Sequence, residues 1–134
     1  MTRARTTVSV AKDATAACDA TWCVVQTLTS TGDSQIELTR PDGTDIRHIG
    51  DTSTNLVATD VTLLDRFMAV AESVDGQQGP TVVERLSLYD IAKRRTVLVT
   101  PAATAAYARG SYLWWSTGDN ETLTWNGLNL AALR

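Results

Sequence analysis

The sequence predicts an all-β protein of antiparallel sheet, and three observations carry that expectation. Threonine is abundant, 21 of 134 residues, with many valines beside it. β-branched side chains lose rotamer freedom in helices and sit well on a pleated sheet. Short runs such as Thr6-Thr7-Val8-Ser9-Val10 and Ile36-Glu37-Leu38-Thr39 alternate apolar and polar residues with period two, the spacing of strands with one covered face. A pattern of strand, polar turn and strand then recurs 50 residues on, from Ile36 to Leu86. A length of 134 residues suits one domain or a portion of a larger one, and 43% apolar with 20% charged residues is a globular composition.

Taken in order, residues 6–11 read as a strand with Val8 and Val10 on one face. Cys18-Asp19-Ala20-Thr21-Trp22-Cys23 reads as a tight turn entering a second strand, Cys23 to Leu28, and Thr29 to Ser34 is a polar turn. Arg40-Pro41-Asp42-Gly43-Thr44 places proline where φ near −65° is wanted and glycine where φ must be positive, so Ile36 to Ile49 is a hairpin. Thr62 to Ser73 admits two parses. Val61, Leu63, Leu64, Phe67, Met68 and Ala71 fall at helical spacings. The alternative is a strand from Leu56 to Val61, a turn at Leu64-Asp65-Arg66 and a strand from Phe67 to Glu72, with Phe67, Ala69 and Ala71 on one face. The repeats favour the strands, because a three-turn helix would interrupt the stacking of one unit on the next.

After the polar insert Asp75 to Pro80, Leu86 to Asp90 is a strand, Ala92 to Arg95 a turn and Thr96 to Val99 a strand. Tyr112-Leu113-Trp114-Trp115, the turn Thr117 to Asn120 and Leu123-Thr124-Trp125 form a third approximation that stops at Leu133-Arg134. Repeats of this length with several short strands each predict the antiparallel four-stranded blades of a β-propeller, since one blade cannot bury its faces alone. About three blades are expected in a single partial propeller domain with an incomplete ring, at approximately 16–50, 54–100 and 102–134, with the strand at 6–11 completing a blade.

Cys18-x4-Cys23 with its embedded Thr21-Trp22, the run Ile36 to Asp45, Leu63-Leu64-Asp65-Arg66-Phe67, and Leu113 to Leu123 with its Trp-Trp-Ser-Thr-Gly-Asp-Asn core together resemble exported actinobacterial β-propellers of the TolB-like/WD40-like kind. The resemblance covers about residues 16 to 130. It implies a secreted or cell-envelope protein and carries no catalytic motif. It also implies an export signal and enough blades to close a ring, whereas Met1 to Thr7 runs into no apolar signal core. Propellers close with typically 4–8 blades, so the expectation is a homodimer closing a six-bladed ring, or a portion of a longer chain.

Candidate chemistry is sparse. A net charge of −3 and a pI near 5.0 argue against nucleic acid as a partner, and no apolar run is long enough for a membrane-spanning helix. His48 is the single histidine, where a zinc site or a hydrolytic relay needs several converging groups. Asp42, Asp45 and Asp51 lack calcium-loop spacing and read as turn formers. Glycine-rich phosphate loops are absent. No catalytic residues, cofactor or metal are therefore expected.

Cys18 and Cys23 flank a turn that brings their Cα atoms within reach of a disulfide; a metal site lacking two further soft ligands and a pair of buried thiols are the alternatives. Trp22, Trp114, Trp115 and Trp125 form the candidate binding surface, for a sugar or peptide. Adjacent strand residues face opposite ways, so one of Trp114 and Trp115 is expected in the core and the other outside. The function expected is a non-enzymatic interaction or scaffold module. The alternatives are a propeller portion supporting a hydrolase encoded elsewhere, and a carbohydrate-binding module resting on the tryptophans.

Overall fold

The computed structural model describes residues 14–57, 60–74, 82–118 and 121–133. It is all-β, with three antiparallel sheets of three or four strands and no α-helix among the described residues. The chain divides into two compact units between Thr52 and Ser53. The strand expected at 6–11 lies outside the described residues.

The first unit is a meander of β1 (Ala14–Cys18), β2 (Cys23–Leu28), β3 (Ser34–Thr39) and β4 (Arg47–Gly50), hydrogen-bonded in chain order. Asp19 closes its first turn, its Oδ1 accepting from the amides of Thr21 at 2.8 Å and Trp22 at 2.7 Å. That turn sets Cys18 directly opposite Cys23, and the two are joined in a disulfide with Cα atoms 4.0 Å apart. So short a closed loop contributes about 2 kcal/mol by chain entropy.

The Arg40 to Thr44 turn forms as its residues dictate. Gly43 takes φ +86°, the Arg40 amide donates to the Thr44 carbonyl at 2.9 Å, and Asp42 Oδ1 accepts from the amide and hydroxyl of Thr44. The Asp42 carboxyl is accordingly held below the usual carboxylate range, chiefly by the Thr44 hydroxyl. Ile36 and Leu38, two residues apart on β3, are buried with Trp22, Cys23 and Val24. Trp22 lies under two guanidiniums, Arg40 at 3.7 Å and Arg47 at 4.8 Å from its ring centre.

The second unit holds two sheets. One is β5 (Thr54–Leu56), β6 (Phe67–Ser73), β7 (Glu84–Asp90) and β8 (Arg95–Ala103), in that order; the other is β9 (Ala105–Arg109), β10 (Tyr112–Thr117) and β11 (Thr124–Asn129), with β10 central. A short 3-10 turn, Leu130–Ala132, follows. The core of this unit joins Leu63, Phe67, Ala69, Leu86 and Leu88 to Ala108, Leu113 and Leu130, so the two sheets share one apolar layer.

The doubtful segment is turn and strand. Leu63 and Phe67 exchange backbone hydrogen bonds at 2.8 and 2.9 Å across Leu64 and Asp65, both at positive φ. The helical spacing arises because β6 is an inner strand with Phe67 through Ala71 all buried; a strand covered on both faces loses its period-two pattern. Three boundaries need correction, one of them at the strand expected from Leu123 to Trp125, which runs Thr124–Asn129. Of the strand expected from Leu56 to Val61, residues 58–59 lie outside the described residues; the described strand is Thr54–Leu56, followed by a bond from the Val57 amide to the Ala69 carbonyl. β8 extends past Val99 to Ala103 through Pro101, which falls on an edge strand where the register to β7 shifts, a position that needs no donor from proline. Two strands, β1 and β9, go beyond the sequence reading.

Candidate binding surface

In an antiparallel pair, directly opposite residues project to the same side. The register of the third sheet therefore places nine residues on one face in three rows: Ala105, Ser116 and Trp125; Tyr107, Trp114 and Gly127; Arg109, Tyr112 and Asn129. Leu113 and Trp115, on the alternate positions of β10, turn the other way and meet the core.

Four of the nine carry aromatic rings, and all four are exposed: Tyr107 61%, Tyr112 43%, Trp114 41% and Trp125 52%. They form two near-parallel pairs. Tyr107 and Trp125 have ring centres 6.0 Å apart at 21°, and Tyr112 and Trp114 are 5.5 Å apart at 14°. At such separations parallel rings overlap only in part, so each leaves ring surface uncovered. Gly127 makes room for this arrangement, because a Cβ there would stand 3.2 Å from Cδ1 of Trp114. Ser116, in the row with Ala105 and Trp125, is buried, and its hydroxyl lies 2.7 Å from that of Thr104.

The four tryptophans named by the sequence thus separate. Trp114 and Trp125 share the exposed face. Trp22 does not belong to a surface; it is buried under Arg40 and Arg47 in the first unit. Trp115 points inward and walls a cleft of about 360 Å³ lined also by Arg66, Phe67, Asp90, Val97 and Leu128. Tyr107 and Tyr112 complete the face and were not anticipated, although Tyr112-x-Trp114 carries the period-two signal.

At the cleft, Arg66 pairs with Asp90 at 2.9 Å and donates to the Leu133 carbonyl at 3.0 Å. The Arg66 hydrogen bonds hold the Asp90 carboxyl below its usual range, helped by the Lys93 amide, while burial opposes them. His48 is exposed on β4, opposite Glu37. Asp45 pairs with Arg47 at 2.9 Å. No cluster of three metal-ligating side chains occurs among the described residues, and no helix of the described residues is long and apolar enough to cross a membrane. Comparison of the chain with protein-family models, with curated proteins and with solved structures finds no match.

Proposed function

We propose that this chain is a non-enzymatic interaction module built from propeller-type blades of the TolB-like kind, and that it makes contact through the outer face of its third sheet. The observation that carries the reading is the set of four exposed rings on one side of one small sheet. Exposed aromatic groups of this extent are uncommon on a surface without a binding role. The succession of meanders, two of four strands and one of three among the described residues, supports the blade reading, since propeller blades are small antiparallel sheets of about four strands. The Cys18–Cys23 bridge supports a secreted or envelope location, where disulfides persist.

Residues kept for contact and not for folding should be dispensable to stability. Replacing Trp114 and Trp125 together by alanine removes cross-strand pairs worth about 0.2–1 kcal/mol each, so the variant is expected to remain folded with a melting temperature only a few degrees lower. A loss on the scale of a truncated core tryptophan, about 3–5 kcal/mol, measured by urea unfolding, would assign these rings to the fold and remove the proposal.

A further inference from the structure

Independently of that contact face, we infer that the Cys18–Cys23 disulfide is a redox latch on the first unit. A dithiol reductant opens it, and opening frees β1 from the edge of β2 while the rest of the unit stays folded.

The way β1 is held is the first ground. It is an edge strand and pairs with β2 alone. No residue of Ala14–Cys18 is buried, so β1 places no side chain in the core, and alanine has little strand preference of its own. What holds it is the ladder to β2, the turn capped by Asp19, and the disulfide. Ladder bonds at a sheet edge barely offset the conformational entropy of the residues they order.

The bond also stands where it separates two states. It ties exposed Cys18 to Cys23, which is fully buried along with Trp22, Val24, Ile36 and Leu38. While it is closed, β1 can fray only from its Ala14 end, because Cys18 stays fixed to its cross-strand partner. With the bond broken, the whole strand can leave. β2 cannot follow, since it pairs with β3 along its full length and its first two residues are buried. As a free thiol Cys23 packs like a small apolar side chain, so the core survives reduction.

The asymmetry sets the chemistry. A thiolate of the reductant attacks Sγ of Cys18, the exposed partner; the S–S bond breaks, and its electron pair goes to Cys23 Sγ, which takes up a proton. The reductant's second thiol then displaces Cys18 from the mixed disulfide, leaving Cys18 as a thiol and the reductant as its own cyclic disulfide. Exposed disulfides belong to the more easily reduced class, and in an oxidising compartment the closed state is the resident one.

The edge of β2 is what the latch controls. Cys23-Val24-Val25-Gln26-Thr27-Leu28 contains no charge, proline or glycine, a composition that pairs readily with another strand once uncovered. β1 covers that edge in the oxidised chain, and reduction opens it to strand addition.

Hydrogen exchange of the full chain, read by mass spectrometry with and without dithiothreitol and in the absence of denaturant, tests this, with thiols counted by alkylation. After reduction the amides of β1, and those of β2 bonded to it, should exchange about thirtyfold faster, the chain-entropy effect of opening so short a loop. β3 and the strands of the second unit should keep their protection. Cys18→Ala, measured without reductant, should reproduce the reduced pattern and so separates loss of the bond from any other action of the reagent. A disulfide that yields to dithiothreitol only in denaturant, or protection of β1 unchanged in either the reduced chain or Cys18→Ala, would overturn the inference. So would loss of protection throughout β2, β3 and β4, which would make the bond a staple of the whole unit.

Discussion

Truncating Leu113 to alanine is expected to destabilise the chain by about 3–5 kcal/mol, the loss of buried side-chain transfer energy plus an unfilled cavity. Leu113 is fully buried on the central strand of its sheet, where it meets the apolar layer shared with Phe67, Leu86, Leu88 and Leu130. A domain of this size has only about 5–15 kcal/mol in total, so much of the population should unfold in mild urea. The next residue, Trp114, points the opposite way, and its alanine variant is expected to lose no more than about 1 kcal/mol. Urea midpoints for the two neighbours compare the faces directly. A larger loss for Trp114 than for Leu113 would mean that β10 is paired one residue out of register, because a single-residue slip exchanges the two faces.

Neutralising Asp90 should remove part of the acid sensitivity of the fold. The carboxylate is almost wholly buried and makes two contacts with Arg66, at 2.9 and 3.3 Å, while accepting from the Lys93 amide. Its pKa in the folded chain is depressed, with the Arg66 hydrogen bonds as the main cause. The stabilisation is therefore fully present above the unfolded carboxyl value of about 3.9 and is lost as the pH falls through the lower folded value. Asp90→Asn is expected to cost about 2–3 kcal/mol at neutral pH, the scale of a charged hydrogen bond in a largely buried pair. Below pH ~4 the difference between variant and parent should shrink. A residual acid slope should persist from Asp42, also held low by Thr44. Thermal melts at a series of pH values measure this, and an unchanged gap at low pH would show that the ion pair is not the source.

What the sequence made legible follows from where its signals are local. The Arg40 to Thr44 turn was readable because proline, aspartate and glycine each impose a backbone state within a few residues. The disulfide was readable because a tight turn brings its two cysteines opposite each other. β1 and β9 were not, since Ala14-Thr15-Ala16-Ala17 and Ala105-Ala106-Tyr107-Ala108 are rich in a residue with little strand preference; only their partners make them strands. The same holds at the surface. Opposite facing of Trp114 and Trp115 follows from strand geometry alone, but the company Trp114 keeps depends on the register of β9 and β11. Trp22 went to the interior because Arg40 and Arg47, from the neighbouring hairpin, lie over its ring, a pairing that no spacing in the chain announces.

Acrylamide quenching of tryptophan emission tests the central claim, that the outer face of the third sheet stands open for contact, most directly. Trp114 and Trp125 are exposed, whereas Trp22 is buried and Trp115 is packed against the core. The account predicts two populations in the native chain, one readily quenched and one shielded, with the quenched population disappearing in a Trp114→Phe/Trp125→Phe variant. A native chain without a readily quenched population, or a variant that retains it, would contradict the account.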